Sequence, residues 1–85
     1  MNDWRIEYST RATADLLELD RSLARQILAR LEWFTAHFDE LTPEPLHGEW
    51  KGFYRFRIGD YRIIYSILAH TVRVATLGHR KDVYR

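Results

Sequence analysis

Residues 53–65 read FYRFRIGDYRIIY, and no other stretch constrains the fold as tightly. Apolar and charged residues alternate on both sides of Gly59-Asp60, and a period of two is the signature of a strand. Gly59-Asp60 makes a two-residue hairpin loop, and glycine in its first position suits a type II′ turn. So short a loop fixes the register. Ile58 faces Tyr61, Arg57 faces Arg62, Phe56 faces Ile63, Arg55 faces Ile64, and Tyr54 faces Tyr65. Successive side chains point to opposite faces. Tyr54, Phe56, Ile58, Tyr61, Ile63 and Tyr65 therefore share one face that packs on the rest of the core. Phe53, Arg55, Arg57, Arg62, Ile64 and Ser66 share the other.

The remaining elements follow from their own patterns. Trp4, Ile6 and Tyr8 alternate with Arg5 and Glu7, which predicts a first strand. Ser9 or Thr10 caps a short helix carrying Ala12, Leu16 and Leu19. Asp20 caps a second helix, predicted from Arg21 to Phe38, with Leu23, Ile27, Leu31, Phe34 and Phe38 on one stripe. Residues 39–52 hold both prolines, so they form a long connection, pinned by Leu41, Leu46 and Trp50. Phe53–Ile58, Tyr61–Leu68 and Thr71–Gly78 complete the strands. The order is β-α-α-β-β-β. This predicts one α+β domain over residues 1–85, with two N-terminal helices on one face of a mainly antiparallel four-stranded sheet.

The chain has 85 residues and no cysteine, so its core rests on a 46% hydrophobic composition without disulfides. No apolar run approaches the roughly 20 residues of a membrane span, and the N-terminus lacks the apolar segment of a secretory signal. These features predict a soluble protein of a reducing, cytoplasmic compartment, with no membrane partner. The net charge of +1 hides a segregation. Residues 1–50 carry five Arg/Lys against ten Asp/Glu, and residues 51–85 carry eight against two. A basic half of this kind points to a polyanionic partner.

The hairpin register places Arg57 directly opposite Arg62, with Arg55 beside them. Like charges across a ladder are unfavourable, so stability alone favours an acid at one of these positions. One such arginine reads as a solvated side chain. Three on one face, bordered by Lys51, Arg80 and Lys81, point to an anion site, because the guanidinium fork matches phosphate oxygens. Phe53 on the same face, with His79 and Tyr84 near the end of the sheet, adds aromatic surface suited to unstacked bases of single-stranded RNA. The four histidines, His37, His47, His70 and His79, have no metal-ligand spacing, so neither metal nor cofactor is expected. Asp39, Glu40, Glu44 and Glu49 read as a solvated acidic run. Trp33 and Trp50 read as core or interface.

The series Leu46-x-Gly48, Gly52-Phe53-Tyr54-Arg55-Phe56-Arg57-x-Gly59-Asp60-Tyr61-Arg62-Ile63-Ile64-Tyr65 and Gly78-His79-Arg80-Lys81-Asp82-Val83-Tyr84 resembles the RelE/ParE toxin superfamily, on its RelE side. The resemblance spans nearly the whole chain, by motif in the C-terminal half and by pattern in the N-terminal half. It implies an mRNA-cleaving toxin of a type II toxin–antitoxin pair, acting in the ribosomal A site without a metal. In that chemistry the ribose 2′-hydroxyl attacks the adjacent phosphate and leaves a 2′,3′-cyclic phosphate and a 5′-hydroxyl. It carries the catalytic roles onto Arg62, Arg80 and Tyr84. Lys51, Phe53, Arg55, Arg57 and Lys81 are the expected RNA contacts. The implied partners are a RelB-like, acidic or amphipathic antitoxin, mRNA and the ribosome, with operator DNA reached only through the antitoxin.

The chain departs from the resemblance at one point. Some family members carry two lysines where Phe53 and Arg55 stand. Arginine supplies charge but does not give up its proton. His79, of a residue type that titrates near 6.5, and Tyr84 are then the two candidates for moving the proton. Two other readings stand beside the main one: a gyrase-inhibiting toxin of the ParE branch, and a catalytically inactive module that binds antitoxin as a co-regulator.

Overall fold

The fold comes from a computed structural model, which describes residues 3–79. The elements are β1 (Arg5–Tyr8), α1 (Thr10–Leu17), α2 (Arg21–Ala36), a 3-10 turn (Phe38–Glu40), β2 (Glu44–Pro45), a second 3-10 turn (Gly48–Trp50), β3 (Tyr54–Ile58), β4 (Tyr61–Leu68) and β5 (Thr71–His79). The sheet has five strands in the order β1-β5-β4-β3-β2. The pair β1–β5 is parallel and the others are antiparallel. The predicted α+β architecture holds, with one correction: the sheet has five strands rather than four. The extra strand is the two-residue β2. It pairs Glu44 with Arg55 and Pro45 with Tyr54. Proline has no N–H to donate, and an edge strand is where that loss is tolerated.

Both predicted caps form. Ser9 Oγ accepts the Ala12 N–H at 2.9 Å, and Asp20 Oδ1 accepts the Ser22 N–H at 3.1 Å. Each satisfies a donor that the helix cannot. The long helix stops at Ala36, two residues short of its predicted end. Thr35 Oγ1 donates back to the Leu31 carbonyl at 2.9 Å, a bond that competes with the regular ladder. Phe38, the last residue of the apolar stripe, keeps its place in the core from the following 3-10 turn.

The core lies between the helices and the hairpin face predicted to be apolar. Ala12, Ile27, Leu31, Ile63, Val74 and Leu77 form one cluster, and Phe34, Phe38, Tyr65 and Val72 a second. Phe34 stacks on Phe56 at 3.9 Å and meets Phe38 and Tyr65 edge-on. Full burial of such side chains stabilises by about 1.5–3 kcal/mol each. The observed β3–β4 register matches the predicted one at every pair. Gly59 has φ of +57° while Asp60 stays out of the positive region, in keeping with a II′ loop.

The outer edge of β5 is covered in two ways. β1 pairs with its first half, from Thr71 to Val74. Past that point α1 takes over. Ser9 N–H donates to the Val74 carbonyl at 2.9 Å, and Ser9 Oγ donates to the Ala75 carbonyl at 2.6 Å. Asp15 Oδ2 accepts from Leu77 N–H at 3.1 Å and Thr76 Oγ1 at 2.8 Å. An edge that otherwise presents free donors and acceptors is thereby closed. Among the described residues, no helix is long and apolar enough to cross a membrane.

Candidate nucleic-acid interface

The sheet face turned away from α2 is organised in rows across the strands. One row joins Arg57, Arg62 and Gly78. Arg62 is half-buried and Arg57 exposed. Gly78, opposite Arg62 on its other side, contributes no side chain to this row. The next row joins Glu44, Arg55, Ile64 and Thr76. Ile64 is fully buried, so the arginines stand around an apolar floor.

Glu44 is the functional candidate that sequence reasoning missed. Arg55 Nε donates to Glu44 Oε1 at 2.8 Å, and Arg55 Nη2 donates to the same oxygen. Hydrogen bonding from Arg55 holds the Glu44 carboxyl below the usual carboxylate range, and the charges of Arg55, Arg57 and Arg62 act in the same direction. Desolvation opposes them and ranks second only to the Arg55 hydrogen bond, so the net shift stays downward on the strength of that bond. The face thus holds an ionised carboxylate among three cations. The signal in the sequence was the absence of any acid in either strand of the hairpin, which left Arg57 and Arg62 opposed. The acid arrives instead from β2, across a long connection.

The other expected site residues are placed as follows. Lys51 is exposed, directly after the Gly48–Trp50 turn. Phe53 is half-buried and packs edge-on against Trp50 at 5.6 Å. His79 pairs with Tyr61 and lies edge-on to its ring at 5.8 Å. Tyr61 packs on the helix side of the sheet, so His79 belongs to that side. There it lines a cavity of about 300 Å³ with Arg11, Asp15, Glu18 and Tyr61. The structure therefore brings Arg55, Arg57 and Arg62 together with Glu44 and sets His79 on the opposite face. Arg80, Lys81 and Tyr84 lie outside the described residues.

Tyr65 is not part of this chemistry. Its hydroxyl is buried on the helix side and has no hydrogen-bond partner among the described residues. Burial, with smaller contributions from Tyr54 and Glu44, raises its pKa, so it stays neutral.

Residues 6–84 match the family described as the ParE toxin of type II toxin-antitoxin system, parDE. A comparison with curated protein sequences gave no match. Several solved structures share the fold. The RelBE2 toxin-antitoxin complex of Mycobacterium tuberculosis aligns with a TM-score of 0.80 at 24% identity, over 91% of this chain and 98% of that one. The isolated E. coli RelE toxin aligns with a TM-score of 0.71 at 20% identity, over 95% of this chain and 90% of that one. The E. coli DinJ-YafQ toxin-antitoxin complex aligns with a TM-score of 0.65 at 22% identity, over 96% and 98%. With the family match covering nearly the whole chain, this protein belongs to the ParE toxin family of type II toxin–antitoxin systems.

Proposed function

We propose that this toxin is a metal-independent endoribonuclease that cuts mRNA, in the ribosomal A site, by attack of the ribose 2′-hydroxyl on the adjacent phosphate. The observation that carries this reading is the row of Arg57 and Arg62 beside the Glu44–Arg55 pair on one sheet face. In-line phosphoryl transfer builds negative charge on the equatorial oxygens, and fixed guanidinium groups stabilise that charge. Arg62 holds the scissile phosphate, Arg57 holds the backbone beside it, and Arg55 holds Glu44 in place. Arg80 stabilises the transition state or the leaving oxygen, and Tyr84 orients the ribose or a stacked base; both roles rest on the family resemblance.

Glu44 is the base that fits this face. A base must be unprotonated at working pH, and the arginines keep Glu44 ionised. Arg55 occupies Oε1, so Oε2 is the oxygen that accepts the 2′-hydroxyl proton. His79 is the competing base, at the cost of acting from the helix side.

The partner is an antitoxin encoded alongside. A cationic face of this kind fits an acidic or amphipathic segment, and saturating antitoxin abolishes cleavage. Unchanged cleavage at saturation counts against that assignment. The catalytic assignment is tested with ribosomes carrying a defined message. Arg62→Ala and Arg80→Ala each lose most of the cutting. Near-normal cutting by both sinks the assignment, and inhibition of gyrase supercoiling by an uncut-message toxin favours the ParE mode of action.

A further inference from the structure

Both edge strands place a carboxylate against an arginine of the neighbouring strand. On β2 it is Glu44, held to Arg55 of β3. On β1 it is Glu7, which lies opposite Arg73 of β5 with Oε1 at 3.4 Å from Arg73 Nε. Arg73 lies opposite Ser66 of β4. Ser66 is four residues beyond Arg62, and even steps keep it on the same face. At the rise of a strand the separation is about 13 Å. Arg57 and Arg62 thus share one row across β3 and β4, Arg55 stands on β3 in the row of Ile64, and Arg73 stands on β5 in the row of Ser66. The two acids stand at opposite edges of the face.

Arg73 also borders a cavity of about 550 Å³, lined by Glu7, Ser9, Ser66, Val74 and Ala75. The register of β4 and β5 shifts at this point, where Ala75 is left without a partner in the ladder. The Glu7–Arg73 pair is exposed on both sides, at 64% and 55%. An exposed pair of this kind is weak, so Arg73 moves from Glu7 to a competing phosphate at little cost.

We infer that Arg73, with the Ser66 hydroxyl beside it, is a second phosphodiester subsite for the same RNA strand. The strand lies along β4 from Arg62 toward Ser66, and Glu7 and Glu44 confine the polyanion to this lane by repulsion from its two sides. This inference rests on the RNA-cleaving reading and adds a contact remote from the scissile phosphate.

The test uses 2′-O-methyl RNA, which lacks the attacking hydroxyl and stays intact, as a dinucleotide and as an octanucleotide. Binding is measured over a range of salt concentrations. Arg73→Ala weakens the octanucleotide and flattens its log K against log salt slope by about 0.7, while leaving the dinucleotide unchanged. Arg73→Lys restores the slope. Arg62→Ala weakens both oligonucleotides. Glu7→Gln releases Arg73 and tightens the octanucleotide by up to about fivefold, a gain that misfolding does not produce. An Arg73→Ala protein that binds the octanucleotide like wild type, while Arg62→Ala does not, overturns the subsite. So does an Arg73→Ala protein that loses antitoxin affinity alone, which makes Arg73 a protein contact. Binding unaffected by either alanine variant overturns the underlying RNA reading instead.

Discussion

Glu44→Gln separates binding from chemistry on this face. The substitution keeps the shape of the side chain and removes its charge. Two consequences follow from the geometry. Arg55 loses the carboxylate oxygen that both Nε and Nη2 contact, so its guanidinium becomes available to phosphate. RNA binding tightens, and the salt slope steepens by about 0.7 for the added contact. The proposed proton acceptor is lost at the same time, which lowers kcat by about 10²–10⁴-fold. Folding stability changes little, because the pair is exposed. The assay is single-turnover cleavage of a ribosome-bound message, with binding measured on 2′-O-methyl RNA and a thermal melt as control. Tighter binding with slower cutting is a combination that neither simple structural damage nor simple loss of an RNA contact produces. A kcat within a factor of two of wild type, or weaker binding, refutes the reasoning.

The pH profile follows from the same residue. Glu44 is held below the usual carboxylate range by Arg55. Its contribution is therefore present above the ordinary carboxylate pKa and disappears as pH falls through the depressed value. Wild-type cleavage should keep its acid limb below the ordinary carboxylate range, and a limb near neutral pH in a rate profile assigns the base to a group other than Glu44. Ala69 and His70 form the β4–β5 turn with φ of 49° and 55°, a left-handed pair without glycine. Ala69→Asn, which tolerates that conformation, stabilises by about 1 kcal/mol and raises Tm by about 4–8 °C; an unchanged or lower Tm contradicts this. Asp15→Ala removes the acceptor shared by Leu77 N–H and Thr76 Oγ1. It destabilises by about 1–3 kcal/mol in a denaturant melt, and a cost below about 0.5 kcal/mol shows that water replaces the carboxylate.

Much of the fold was legible because the hairpin leaves little choice. A two-residue loop and strict alternation determine which residues oppose one another, and Arg57 does face Arg62. Ser9 and Asp20 were legible as caps for a similar reason, since each acts on donors two or three residues away. The parts that escaped depend on contacts distant in sequence. A strand of two residues containing Pro45 has no periodicity to read. Its pairing with β3 exists only once the connection has folded back. Glu44 therefore looked like one more solvated acid beside Asp39, Glu40 and Glu49. The side of the sheet taken by His79 was fixed by its ladder partner Tyr61, which the pattern of β5 alone did not reveal.

The central claim is that the arginine face positions RNA for attack by its own 2′-hydroxyl. Mapping the products of one ribosome-bound message, prepared with either ribose or 2′-deoxyribose at the cleaved nucleotide, tests it directly. The account predicts a single cut with a 2′,3′-cyclic phosphate and a 5′-hydroxyl on the ribose message, and an intact deoxy message. Cutting of the deoxy message, or no cutting of either, contradicts it.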